Sequence, residues 1–298
     1  RQMCIRDRIE INAYAKINLM LDIIGRRNNG YHDLFMVMQS ISLHDTLIVE
    51  NNDLNKIAII CNDASIPLNE KNIVHKVATE FFKFTKIKNG VNINIKKQIP
   101  HAAGMAGGSA DGAAVIIALD KIFNTNLSMN ELCEIGGKVG ADIPFCIQGG
   151  TMLVQGIGDV LNKMNDMPDC FILVVKPPVD VNTAEAYKQY DLFSKRYTPK
   201  KFEMMQAVQK GNLKDICSNM SNTFEQFIEV PQRVEIKKIM RENGAIGSCM
   251  SGSGPTVFGI FDDKKTAEKC AEKLNGLGKD IFVCKPYNKG CEIVNIVE

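Results

Sequence analysis

Residues 100 to 114, Pro-His-Ala-Ala-Gly-Met-Ala-Gly-Gly-Ser-Ala-Asp-Gly-Ala-Ala, form a stretch stripped of bulky side chains. Where no side chain intervenes, backbone N–H groups can close on an anion. The alternation of Val91, Ile93 and Ile95 before it predicts a half-buried strand. Ala113, Ala114, Ile116, Ile117, Ala118 and Leu119 after it predict a well-buried helix starting near Ser109. Strand, glycine loop and helix in that order leave unpartnered N–H groups and roughly half a positive charge at the helix start, which can hold a di- or triphosphate without a lysine cluster. Two common phosphate loops do not match. The P-loop needs Lys and then Ser or Thr after its last glycine, whereas Gly108 is followed by Ser109 and Ala110. The dinucleotide fingerprint needs a glycine spacing that Gly104, Gly107 and Gly108 do not supply. The alternative is a tight loop whose glycines serve only positive φ or close helix packing.

Two charged side chains stand out beside the loop. Lys16 lies in an apolar strand run between Ala15 and Ile17, where an ammonium is costly unless paired or solvated; the alternative is a lysine on a wet face. Asn18 shares its face, because strand side chains alternate. Asp142 precedes Ile143-Pro144 and reads equally well as a helix-start cap. Tyr31 and His32 sit in a polar loop, where a ring and an imidazole could stack on and hydrogen-bond a nucleobase or simply pack the loop.

The elements that must position these residues follow an α/β order. Residues 9–24 and 34–50 are rich in strand formers and flank a turn at 25–30, which predicts a hairpin. Asn72 precedes Ile73, Val74, Val77, Ala78, Phe81 and Phe82 on one helical face, a capped amphipathic helix with its stop at Asn89-Gly90. Ser128 caps a further helix ending at Gly140, and a strand is expected at 150–155. Past a joint at 166–169, residues 170–176 predict an apolar strand stopped by Pro177-Pro178. Helices are expected at 182–189, 201–209 and 231–242. Strand-like runs at 245–250 and 256–261 bracket Ser251-Gly252-Ser253-Gly254-Pro255, a helix follows through Ala267, Cys270, Ala271 and Leu274, and 281–284 reads as a last strand. Antiparallel hairpins with intervening helices imply an α+β class.

Composition sets looser bounds. The 298 residues suffice for one large or two medium domains, and 36 basic against 34 acidic residues give a net charge of +2. That balance gives no pull toward nucleic acid or an anionic membrane. The ten cysteines form no CxxC pair, so reduced thiols of a cytoplasmic protein are expected. No segment approaches the roughly 18 apolar residues of a membrane span. Residues 1 to 8 read as an extension outside the fold.

Three separated segments together resemble the motifs of the GHMP small-molecule kinases: Ala13-Tyr14-Ala15-Lys16-Ile17-Asn18-Leu19, the glycine loop, and Gly252-Ser253-Gly254-Pro255-Thr256-Val257-Phe258. Gly30-Tyr31-His32-Asp33-Leu34 is similar to the segment of those members that phosphorylate a cytidine-diphosphate-linked polyol of the non-mevalonate isoprenoid pathway. The resemblance implies a two-domain fold, with a ribosomal protein S5 domain 2-like part at 9–165 and a ferredoxin-like part at 166–298. It implies ATP as co-substrate, Mg²⁺, and a small-molecule alcohol as acceptor. Lys16 would face the reacting hydroxyl and Asp142 would accept or orient its proton. Pro100, Ala103, Gly104, Met105, Ala106, Gly107, Gly108, Ser109, Ala110 and Asn72 would hold ATP, and Asn18, Tyr31, His32, Thr183 and Tyr187 the substrate. Ala110 stands where many members have serine, which leaves Ser109 nearer the phosphates and no metal ligand assigned. Asp111 is a candidate ligand, with favourable placement in the helix first turn as the alternative. The expected state is a monomer or weak homodimer. A sibling kinase acting on a mevalonate- or homoserine-like alcohol, or a non-catalytic sensor, are the competing readings; Tyr31 and His32 weigh against the first, and Lys16 with Asp142 against the second.

Overall fold

A computed structural model describes residues 8–52, 54–194 and 197–297. Residues 1–7 of the expected extension lie outside the described residues, and Arg8 already opens the first strand. The predicted hairpin is β1 (Arg8–Arg26) against β2 (His32–Asn52), antiparallel throughout. After β3 (Ile57–Cys61), α1 (Ile73–Thr85) starts where Asn72 Oδ1 accepts the Val74 N–H at 3.0 Å. It stops at Lys86, which turns left-handed at φ 59°, ahead of the expected Asn89-Gly90. In β4 (Gly90–Lys96), Val91, Ile93 and Ile95 are buried as their alternation requires. Next come α2 (Gly107–Ile122), α3 (Met129–Gly137), α4 (Ile143–Gln148), β5 (Thr151–Gly156) and β6 (Val160–Lys163). A capping box between Ser128 and Glu131 starts α3, which ends three residues before Gly140.

The first sheet runs β13-β1-β2-β4-β3, and the long β2 also pairs with β5 along its first half. Helix α2 packs on β1 and β2 and is flanked by α1, α3 and α4. Its small residues make that contact possible: a Cβ on Gly112 would stand 3.1 Å from Ile73 Cγ2 and 3.2 Å from Val77 Cγ2.

The chain continues through β7 (Phe171–Lys176), α5 (Thr183–Leu192), α6 (Lys201–Lys210), α7 (Leu213–Asn219), β8 (Ser221–Asn222) and a 3₁₀ turn, Thr223–Gln226. Then follow α8 (Arg233–Glu242), β9 (Gly247–Met250), β10 (Val257–Phe261), α9 (Lys264–Lys273) and β11 (Asp280–Cys284). Strands β11-β7-β10-β9 form an antiparallel sheet in the order of a ferredoxin-like plait, with α8 and α9 packed on it through Ile236, Met240, Ala267 and Leu274.

One expectation is corrected here. Strand β11 is not the last: β12 (Pro286–Tyr287) returns to β2 and β13 (Cys291–Val297) to β1. The end of the stretch assigned to the second part therefore lies on the first sheet. It covers the β1 edge, where Tyr14 and Tyr287 stack at 4.0 Å and both donate to Glu292 Oε2. Among the described residues no helix is long and apolar enough to cross a membrane, and the described cysteines are free.

Candidate active site

The three sequence motifs meet at one cleft of about 870 Å³ between the layers. The glycine loop is tied to β1 by Lys16 N–H donating to Met105 O at 3.2 Å, and to the Gly-rich turn after β9 by Ser251 Oγ–H donating to Gly104 O at 2.9 Å. Gly104 adopts φ +70°, and a Cβ there would stand 2.3 Å from Ser251 O. Only glycine allows both the left-handed conformation and that approach.

Helix α2 begins two residues earlier than expected. Its N-cap, Ala106, is left-handed at φ 58° and gives no side-chain cap. The first N–H groups of the helix are thus not taken by a capping side chain, and Gly107, Gly108 and Ser109 line the cleft. Pro100, Ala103, Gly104, Met105, Ala106 and Asn72 line it too. Ala110 does not. With the helix starting at Gly107, position 110 turns into the core, fully buried, its N–H donating to Ala106 O at 2.9 Å. The same shift puts Asp111 in the second turn, beyond a first-turn dipole role.

Lys16 follows a register shift between Tyr14 and Lys16 that bends β1 at this point. The residue is 4 % exposed and its ammonium donates to Asn18 Oδ1 at 2.7 Å. That oxygen also accepts the Gly252 N–H at 3.0 Å, and Asn18 Nδ2 faces Met36 Sδ at 3.5 Å. Asn18 was expected at the substrate. It lies fully buried behind Lys16 and does not line the cleft, because both ends of its amide are engaged by protein. Asp142 is the N-cap of the short α4 yet makes no cap hydrogen bond, since its own backbone is already helical (φ −81°, ψ −12°). Its half-buried carboxylate lines the same cleft as Lys16. Among the described residues no ion pair joins the two at 4.0 Å or less.

A buried cluster beneath the loop went unread in the sequence. Lys97 Nζ bonds Asp45 Oδ2 and, at 2.8 Å, Asp111 Oδ2. Asp45 Oδ1 accepts the Gln98 and Ile99 N–H groups at 2.6 and 2.8 Å, which fixes the turn from β4 into the glycine loop. Burial, reinforced by Asp45 and only partly offset by Lys97, pushes the Asp111 carboxyl up to about 8. Although burial pulls Lys97 down, the two carboxylates hold it above the ordinary lysine value. A signal existed: Asp45 sits between Leu43 and Leu47 on the inward face of β2, and Lys97 continues the inward Val91, Ile93, Ile95 series.

In the same cleft His32 stacks on Tyr187, centroids 4.8 Å apart at 21°, and meets Tyr190 edge-on at 5.5 Å. Its Nε2 lies 2.8 Å from Asp191 Oδ1, and Asp191 Oδ2 lies 3.4 Å from Arg26 Nη1. Burial, with the Asp142 carboxylate adding, raises the Tyr187 phenol well above its ordinary value and keeps it protonated. Tyr31 is 60 % exposed at the rim, and Thr183 Oγ1 bonds Ser253 Oγ at 2.9 Å. Sequence reasoning missed Asp191; its place one turn after Tyr187 on α5 was the available clue.

Comparison with known proteins gives this arrangement a lineage. Residues 72–150 match the GHMP kinases N terminal domain and residues 204–280 the GHMP kinases C terminal domain. The chain is 44% identical over 279 residues to the 4-diphosphocytidyl-2-C-methyl-D-erythritol kinase of Clostridium botulinum, covering 93% of this chain and 99% of that one. Its counterpart of the same name in Clostridium perfringens is 42% identical over 284 residues, covering 94% and 99%. A crystal structure of 4-(cytidine 5'-diphospho)-2C-methyl-D-erythritol kinase superposes with a TM-score of 0.74 at 27% identity, covering 93% and 99%. Homoserine kinase from Cytophaga hutchinsonii reaches 0.79 at 18% over 99% of both chains, a likeness of fold alone. Two family matches, near-full-length relatives and one shared cleft place the chain in the GHMP kinase family, among its 4-diphosphocytidyl-2-C-methyl-D-erythritol kinases.

Proposed function

We propose that the protein transfers the γ-phosphoryl group of ATP to the 2-hydroxyl of 4-(cytidine 5'-diphospho)-2-C-methyl-D-erythritol, a step of the non-mevalonate route to isoprenoid precursors. The observation that carries this reading is one cleft lined by Lys16, Asp142, the first residues of α2 and the stacked His32 and Tyr187 rings. The triphosphate lies on the open N–H groups of α2, where the helix dipole favours anions. Lys16 and Asp142 share the cleft without an ion pair, which leaves their charges available to an alcohol oxygen between them. The alcohol oxygen forms the new P–O bond as the bond to ADP breaks. Its proton passes to, or is held by, Asp142, while Lys16 offsets the charge gathering on the oxygen. Tyr31, His32, Thr183 and Tyr187 hold the cytidine end.

Mg²⁺ would supply neutralisation of the phosphate charge. Among the described residues no group of three or more His, Cys, Asp or Glu forms an all-protein cage. The cleft fits an ion held mainly by phosphate oxygens and water, with Ser109 and Asp142 as its protein neighbours. Asp111 Oδ1 is buried without a partner, but Lys97 occupies its other oxygen. The free, mostly buried thiols suit a cytoplasmic protein, and we take it to act as a monomer or weak homodimer.

A substrate panel read by ADP release tests the assignment. With MgATP, the cytidine-linked alcohol should be phosphorylated at least tenfold faster than mevalonate or homoserine, each specificity contact contributing about 1–3 kcal/mol. Equal or greater turnover of either sibling alcohol would overturn it.

A further inference from the structure

The imidazole of His32 is held on three sides. Tyr187 covers one face, Tyr190 meets it edge-on, and Asp191 takes Nε2 at 2.8 Å. Arg26 occupies the other carboxylate oxygen of Asp191, and Tyr190 anchors α5 to β1 by donating to Ile23 O at 2.9 Å. A carboxylate can only accept, so the hydrogen of a neutral His32 lies on Nε2. Nδ1 is left as a bare acceptor that, among the described residues, no protein donor fills. His32, Tyr187 and Asp191 all line the cleft.

We propose that Asp191 is a positioning residue that fixes the His32 tautomer and thereby makes the cleft select a base presenting a hydrogen-bond donor. The inference rests on the cytidine reading above. The 4-amino group of cytosine donates to Nδ1, whereas the 4-carbonyl of uracil sets one acceptor against another and leaves both unpaired. The cost of that mismatch, rather than any added attraction, supplies the discrimination.

The test compares the cytidine substrate with its uridine 5'-diphospho analogue in the wild type, Asp191→Asn and Asp191→Glu, together with ¹⁵N NMR of the His32 ring nitrogens. In the wild type the NMR should show hydrogen on Nε2, and kcat/KM should favour cytidine by about 10- to 100-fold. An asparagine amide can donate to Nε2 and permit hydrogen on Nδ1. Asp191→Asn should therefore shift the ring resonances, move the preference toward unity and raise KM for the cytidine substrate about tenfold, more than it lowers kcat. Asp191→Glu keeps the acceptor and should keep most of the preference. A wild-type ring protonated on Nδ1 alone would sink the proposal even if the variants do not fold. A wild-type preference retained in Asp191→Asn would do the same. A wild type that ignores the cytidine substrate would remove the functional reading and this proposal with it; turnover with an unaltered preference removes the role of Asp191 alone.

Discussion

Lys16 is steadied by an amide rather than by an acid. Asn18 gives it one oxygen and leaves its charge uncompensated by any carboxylate ion pair among the described residues, in a strand where burial makes such charge costly. A transferring phosphoryl group and a developing alkoxide would repay that cost. Lys16→Ala and Asp142→Asn should each lower turnover by about 10²- to 10⁴-fold while nucleotide affinity stays within a few-fold, as measured by steady-state kinetics and calorimetric titration of an ATP analogue. Variants that turn over at the wild-type rate would contradict the roles given to both. Lys16 stands out in the sequence because a cation interrupts an apolar run, whereas Asp142 reads equally well as a helix-start cap and only the family resemblance singles it out. Asn18 was misplaced: period-two alternation correctly set it beside Lys16, but alternation cannot say which member of a pair reaches the cleft and which supports it. His32 was read as a base contact, yet the Asp191 that holds it lies 159 positions away and no local pattern joins them.

The glycine loop works as an element because it is clamped from three directions, by β1, by the turn after β9 and by the Asp45–Lys97–Asp111 cluster. Gly104→Ala should cost about 1–3 kcal/mol from the left-handed backbone alone. The added Cβ must also push Ser251 away, so KM for ATP should rise at least about tenfold, with thermal unfolding and kinetics as the readout. The buried cluster makes stability depend on pH. Asp111 is raised to about 8 in the folded chain from an ordinary carboxylate value of about 3.9 when unfolded. Between those values the native state keeps a proton that the unfolded state has released. This contribution is complete below the ordinary carboxylate range and is lost as pH rises toward 8 and past it. Melts of the ligand-free protein from pH 5 to 9 should show that decline, and Asp111→Asn should flatten it; an unchanged slope would locate the dependence elsewhere. The order strand, loop, helix was readable because periodicity changes from 2 to 3.6 across the glycines. The helix start was read two residues late because no side-chain cap marks it.

At the scale of the molecule, the second sheet was legible as alternating strands and helices, and its order is that of the expected plait. The return of the chain to the first sheet was not. Cys291–Val297 is partly buried over its first three residues and exposed over its last four, without the alternation that marks a strand, since β13 is an edge strand and only its start meets the core. Removing β12 and β13 should expose the β1 edge, lower the melting temperature and bring self-association, seen by calorimetry and size-exclusion chromatography. A truncated chain that stays monomeric with an unchanged melt would show the edge to be covered by other means. The register of this return has a further consequence. Arg8 and Val297 are partners across adjacent strands, which places them about 5 Å apart. The described backbone from Arg8 to Val297 thus nearly returns to its own start, so a short linker joining these two positions, with a new opening at the exposed bend around Asn28 and Asn29, should give a rearranged order of the same elements.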